Sequence, residues 1–256
     1  MFSVGEREHC FKRIVDKFES NNLIEGVVQL GSGVKGYTDA YSDIDLMVST
    51  YKKEDMEDAK HAIYKFLKEF NPVYIKEKQF TQHIFLFIVF MENSLEFNIS
   101  VLPSELLNVK SPLWKVVVDK NGLVTEKMRG ENEIFQNKPV KYEVNIDIQF
   151  EFAYSALSVK KELKRNNLIY ALKMLENMRE YILLVQAMNE KKKLHQFKAY
   201  DSLDSSFIDA YLSTYPDEIT VEKLTTSADQ LKELFVEIAR QTPSMIIDEN
   251  LYDLLK

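Results

Sequence analysis

The stretch GSGVKGYTDAYSDIDLMV, residues 31–48, opens with a Gly-Ser turn and ends with two aspartates, Asp43 and Asp45, alternating with apolar residues. In an extended strand, successive side chains point to opposite faces, so Asp43 and Asp45 share one face while Ile44 and Leu46 face a core. A rise of ~3.3 Å per residue sets their Cα atoms roughly 6.6 Å apart, close enough for both carboxylates to converge on one ion. Two neighbouring carboxylates repel unless a cation is recruited, and hard oxygen ligands favour Mg²⁺. The pair reads as a magnesium clamp in a phosphoryl-handling site.

The residues before it supply the complementary half. Val27-Val28-Gln29-Leu30 reads as a strand that runs into Gly31-Ser32-Gly33. Glycine there lets backbone N–H groups approach phosphate oxygens, Ser32 adds a hydroxyl donor, and a helix starting near Gly33 would add favourable partial charge. Lys35 is the nearest cation and a candidate phosphate contact; Asp39 reads as a turn or cap residue. Phosphate and metal sites would face each other.

This arrangement resembles the nucleotidyltransferase superfamily, whose fingerprint is Gly-Ser, a gap of about this length, then Asp-x-Asp and an apolar residue. The resemblance implies a mixed sheet with flanking helices, ATP as nucleotide donor and Mg²⁺ as cofactor. Many relatives carry an arginine directly after Gly-Ser, where this chain has Gly33.

Attack by an acceptor hydroxyl requires a base, and metal-bound aspartates seldom serve as one. The segment IFLFIVFMENSLEFNISVLP, residues 84–103, offers the candidate. Ile84 to Met91 reads as a buried strand, Glu92-Asn93-Ser94 as a turn, and Leu95 to Leu102 as an alternating strand with Glu96, Asn98 and Ser100 on one face. Glu96 is the expected base or third metal ligand. The resemblance divides here. Leu95-Glu96-Phe97 matches the streptomycin 3''-adenylyltransferase group, whereas the aminoglycoside 6-adenylyltransferase group has an aspartate five residues before a proline, a count that lands on Asn98. Both alternatives stay open on sequence alone. The stretch Ser111 to Gly122 also looks like the latter group, and Asn121-Gly122 reads as a hairpin or tight turn.

With 256 residues and 45% hydrophobic content, the chain can bury a substantial core. A formal net charge of -7 argues against a dedicated nucleic-acid binder and suits a cationic acceptor. Cys10 is the one cysteine, so no intramolecular disulfide forms, which fits a reducing compartment. The charged start MFSVGEREHCFKR lacks a secretory apolar run, and no apolar run approaches the roughly 20 residues of a membrane span. A cytoplasmic location without membrane contact is expected. His9, His61, His83 and His195 lack zinc-ligand spacing.

Up to about residue 130, strands alternate with amphipathic helices over Glu6 to Ser20 and Lys53 to Phe70. From about Lys141 the periodicity is helical: Val144 to Arg165, Leu168 to Glu190, a shorter stretch after Ser205, and Val221 to Gln241, with Asn166-Asn167 as a break. The fold class is α+β or α/β: a nucleotidyltransferase domain over 1–135 and a helical bundle over 136–256 that would bind the acceptor. Glu143, Asp147 and Glu151 recur at four-residue spacing, as a negative face or a solvated one. QFEFAYSALSVKKEL and HQFKAYDSLDSSFIDAYLSTY resemble the helical domains of aminoglycoside and lincosamide adenylyltransferases through apolar and aromatic spacing.

The expected activity is Mg²⁺-dependent transfer of AMP from ATP to a hydroxyl of a small molecule, an aminoglycoside antibiotic first, as in antibiotic resistance. The alternatives are nucleotidyl transfer to a protein or RNA acceptor, and a nucleotide-binding regulator with impaired catalysis.

Overall fold

The structure is a computed structural model that describes residues 3–37, 39, 41–92, 94–137, 146–192, 199–242, 245 and 248–251. The chain divides into two compact units, Met1–Pro139 and Val140–Lys256.

The first unit is built on a mixed six-stranded sheet. Its strands are β1 (Ile24–Leu30), β2 (Ile44–Thr50), β3 (Tyr74–Thr81), β4 (Ile84–Phe90), β5 (Glu96–Pro103) and β6 (Trp114–Asp119), in the order β3-β4-β5-β2-β1-β6. β2 and β5 run parallel, and the other neighbours are antiparallel. Helices α1 (Val4–Glu19) and α2 (Met56–Lys68) cover one face. There Ile14, Phe18, Ile63, Phe66 and Leu67 pack against Ile44, Leu46, Val48, Phe97, Ile99 and Val101. Each such side chain contributes about 1.5–3 kcal/mol of apolar burial.

Helix α3 (Leu123–Asn137) covers part of the opposite face, where Val124 and Met128 meet Val28, Met47 and Leu102. The first residues of β2 and β5 and much of β4 on that face are half-buried or exposed. The candidate site lies there.

Two expectations change, and one open alternative is decided. The run Ile84 to Met91 is not buried on both faces: Phe85, Phe87 and Val89 enter the core, while Leu86, Ile88 and Phe90 look out over the open face. The Asn121-Gly122 turn leads into α3 rather than a hairpin, because the Asp119 carboxylate accepts from the N–H groups of Gly122 and Thr125 and from Thr125 Oγ1, fixing the helix start. The first helix of the second unit, α4 (Ile148–Lys164), begins after Asp147, whose carboxylate caps it by accepting from Phe150 N–H. Asp147 is therefore not a member of a helical stripe. Glu143, Val144 and His195 lie outside the described residues.

The second unit is helical, with α5 (Leu168–Asn189), α6 (Ser205–Ser213) and α7 (Val221–Arg240) joining α4 around one apolar cluster. Asn166, at φ 56°, turns the chain out of α4 and Asn167 caps α5. The guanidinium of Arg179 is buried and donates to Glu176, Thr214 and Ser227, tying α5 to α6 and α7. No helix among the described residues is long and apolar enough to cross a membrane.

Candidate active site

β1 ends at Leu30, and Gly31 reverses the chain into a 3-10 turn over Ser32–Lys35. Gly31 adopts φ +71° and ψ -156°, a conformation open only to glycine, and its N–H is spent on the carbonyl of Leu113. Its contribution is therefore shape, not a phosphate donor. The first bond of this turn is Val34 N–H to Gly31 O, so the N–H groups of Ser32 and Gly33 precede its ladder. Ser32 and Lys35 are exposed.

Gly33 is buried, and its surroundings leave no room for a side chain. A Cβ there would lie 2.8 Å from Gln29 Nε2 and 2.8 Å from the Tyr37 ring. Tyr37 and Gln29 already fill that space. Burial, then the neighbouring Asp45 charge, push the Tyr37 phenol up to about 12 against a lowering hydrogen bond with Gln29, so Tyr37 is neutral.

The chain from this turn to β2 is tied at Asp39. Its carboxylate accepts from the N–H groups of Tyr41 and Ser42 and from Ser42 Oγ, and these bonds, Tyr41 first, hold its pKa below the usual aspartate range. Asp39 is thus the turn residue expected. Its carbonyl lies 3.5 Å from Nη1 of Arg7, a residue of α1 that is 2% exposed. Arg7, Tyr37 and Gln29 were not legible as site neighbours, although Arg7 carries a signal: it occupies the position that spacing through Phe11, Ile14 and Phe18 reserves for an apolar residue.

Asp43 immediately precedes β2, and Asp45 is its second residue; both are half-buried. Ile44 and Leu46 are fully buried beneath them. Asp45 Oδ2 reaches to 2.7 Å from the position of a Cβ on Gly31, so the Gly-Ser turn and the acidic strand touch. The parallel register pairs Asp45 with Asn98 and Ile44 with Phe97. Continued one step, it places Glu96 in the row of Asp43. Asn98 is thus the direct lateral neighbour of Asp45, and Glu96, also half-buried, heads the same strand on the same face.

Among the described residues, no group of three or more His, Cys, Asp or Glu side chains is gathered closely enough to hold a metal. A magnesium site needs fewer protein ligands, since one or two carboxylates plus substrate phosphates complete its shell. Asp43 and Asp45 supply two oxygen donors, the second of them against the Gly-Ser turn, which fits that donor set.

A family model described as streptomycin adenylyltransferase matches residues 5–247. Among solved structures, the chain is similar to an aminoglycoside 6-adenyltransferase from Bacillus subtilis, with 14% identity, 99% of this chain and 96% of that chain covered, and a TM-score of 0.45. It is also similar to a nucleotidyltransferase-like protein from Exiguobacterium sibiricum, at 10% identity over 92% of this chain and 76% of that one, TM-score 0.38. A nucleotidyltransferase from H. pylori is matched at 13% identity over 93% and 96% of the two chains, TM-score 0.30. No curated protein matches the chain.

Proposed function

The chain belongs to the streptomycin adenylyltransferase family, and we propose that it transfers AMP from ATP to a hydroxyl of a small cationic acceptor, an aminoglycoside such as streptomycin. The observation that carries this reading is the contact between the Gly-Ser turn and Asp45, which joins the bend after β1 to the acidic start of β2. Asp43 and Asp45 would hold Mg²⁺, which when bound supplies positive charge to phosphate oxygens.

In the transfer, the Ser32 and Gly33 N–H groups, the Ser32 hydroxyl and Lys35 bind the β- and γ-phosphates. Glu96 accepts the proton of the acceptor hydroxyl as its oxygen attacks the α-phosphorus. The new O–P bond forms as the α–β bridging bond breaks, pyrophosphate leaves from the Gly31 side, and Glu96 returns its proton to solvent. The net charge of -7 supports a cationic small molecule over RNA as acceptor. The helical second unit, Val140–Lys256, is the proposed source of acceptor specificity. A soluble protein of the cytoplasm fits this activity, since ATP and Mg²⁺ are found there.

A second reading, a nucleotide-binding regulator, is favoured by Asn98: the residue directly beside Asp45 is an amide that takes no proton. Pyrophosphate release from ATP with Mg²⁺ separates the two, assayed with streptomycin, other aminoglycosides, a lincosamide, an RNA 3′ end and no acceptor. Release with aminoglycosides alone supports the first reading; ATP binding without release supports the second. Asp45→Asn is expected to lower transfer at least ~100-fold with an unchanged unfolding midpoint, since catalysis here is mainly electrostatic positioning. Near-normal turnover in that variant overturns the carboxylate assignment.

A further inference from the structure

The open face of the sheet carries more apolar surface than the phosphate chemistry uses. The register aligns three rows of side chains across it. Glu96 pairs with Phe90, which pairs with Tyr74. Asp45 pairs with Asn98, then Ile88, then Lys76. Met47 pairs with Ser100, then Leu86, then Lys78. In the first row, Phe90 is 43% exposed and Tyr74 is 55% exposed. The two are cross-strand neighbours, so they form a contiguous apolar patch next to a half-buried carboxylate.

We infer that Phe90 and Tyr74 form the shelf on which a saturated, amine-bearing ring of the acceptor rests, with its reacting hydroxyl directed at Glu96. The inference rests on the proposed transfer, which fixes a direction across the sheet. In-line displacement puts the attacking oxygen opposite the leaving oxygen. The Gly-Ser turn, which would take the pyrophosphate, follows β1, and the acidic pair lies at the start of β2. The acceptor must then approach from the other side, over β5, β4 and β3, where the row Glu96–Phe90–Tyr74 runs.

Strand spacing of ~4.8 Å places Phe90 roughly 5 Å and Tyr74 roughly 10 Å from Glu96 across the backbone, the span of one or two sugar rings. An ammonium over an aromatic face is attracted by the ring quadrupole, and Glu96 adds a negative charge at the inner end. Lys76 and Lys78 occupy the same face two and four residues beyond Tyr74 and disfavour a cation there, which confines the acceptor to the first row.

Calorimetric titration with streptomycin, and separately with Mg-ATP, tests the shelf on the full chain. Both side chains are exposed, so Phe90→Ala and Tyr74→Ala keep the fold, checked by an unchanged unfolding midpoint. Each is expected to weaken streptomycin binding about tenfold, the scale of one lost ring contact, and to leave the ATP affinity within about twofold. Unchanged streptomycin affinity in both variants overturns the shelf. So does weakened ATP binding, which would make the aromatics a nucleobase seat, and so does failure of the unaltered protein to bind streptomycin. Failure of the transfer reading looks different: streptomycin binds through Phe90 and Tyr74, yet no pyrophosphate is released.

Discussion

A methyl group added to Gly31 would stand 2.7 Å from Oδ2 of Asp45, closer than side-chain carbons approach oxygen in folded proteins. The bend after β1 and the acidic start of β2 are therefore fitted to each other at one atom. Gly31→Ala is expected to meet two separate penalties: backbone strain at φ +71°, of about 1–3 kcal/mol, and displacement of the Asp45 carboxylate. Gly36, at φ +94° with nothing within 4 Å of its hypothetical Cβ, carries only the first. The second asks only the far end of a flexible side chain to shift, so chemical denaturation should show comparable losses for Gly31→Ala and Gly36→Ala, while nucleotidyl transfer falls far more in the former. Equal activities in the two variants would show that the contact does not matter to the site.

Position 33 has no room for a side chain. Gln29 and Tyr37 occupy the volume that a side chain at position 33 would need, each within 2.8 Å of the hypothetical Cβ. Gly33→Arg is expected to destabilise the first unit by about 1–3 kcal/mol through overpacking and to bring no gain in transfer. A urea midpoint at or above that of the unaltered protein would mean that the Tyr37 pocket reorganises freely.

The sequence made the Gly-Ser turn, the Asp43–Asp45 alternation and the N-terminal helices legible because each is local: glycine conformation, a period of two and a period of 3.6 need no distant partner. β3 was not legible. Its residues Tyr74 to Thr81 include Lys76, Glu77, Lys78 and Gln79 and are almost all exposed, so an edge strand leaves no apolar alternation to read. α3 was missed for a similar reason, since only Val124 and Met128 of its 15 residues are buried. The relation between Glu96, Asn98 and the aspartates lay beyond local reading as well, because pairing between distant strands fixes it and a shift of one residue would exchange the faces. Arg7 shows the opposite case: its position was readable, but apolar periodicity gives no weight to a charged residue in a buried stripe.

Register makes the question of the base answerable by exchange. Glu96→Gln is expected to lower the transfer rate by about 10²–10⁴ with ATP affinity retained, the usual contribution of a general base. Asn98→Asp places a carboxylate directly beside Asp45, and in the Glu96→Gln background it should recover part of the lost rate. Should Glu96→Gln turn over normally while Asn98→Asp alone accelerates transfer, Asn98 occupies the base position and Glu96 is a solvated strand residue.

Acid should loosen the junction between β6 and α3 through one side chain. Burial pushes the Asp119 carboxyl up, but hydrogen bonds from Thr125, Gly122 and Asn121 outweigh it and leave the pKa below the ordinary 3.8. The folded state thus favours the charged form, and the resulting stabilisation is complete above about pH 5 and lost as the pH falls below 3.8 toward the folded value. Asp119→Ala, which also removes the anchor of Thr125, is expected to cost about 0.5–2 kcal/mol at neutral pH, as for other capping aspartates. Measured against pH by denaturant unfolding, the difference between the two proteins should narrow below about pH 4, because protonation removes from the unaltered protein what the substitution has already removed. A gap that stays constant from neutral pH down to about pH 3 would show that the hydroxyl and amide contacts to Asp119 do not depend on its charge.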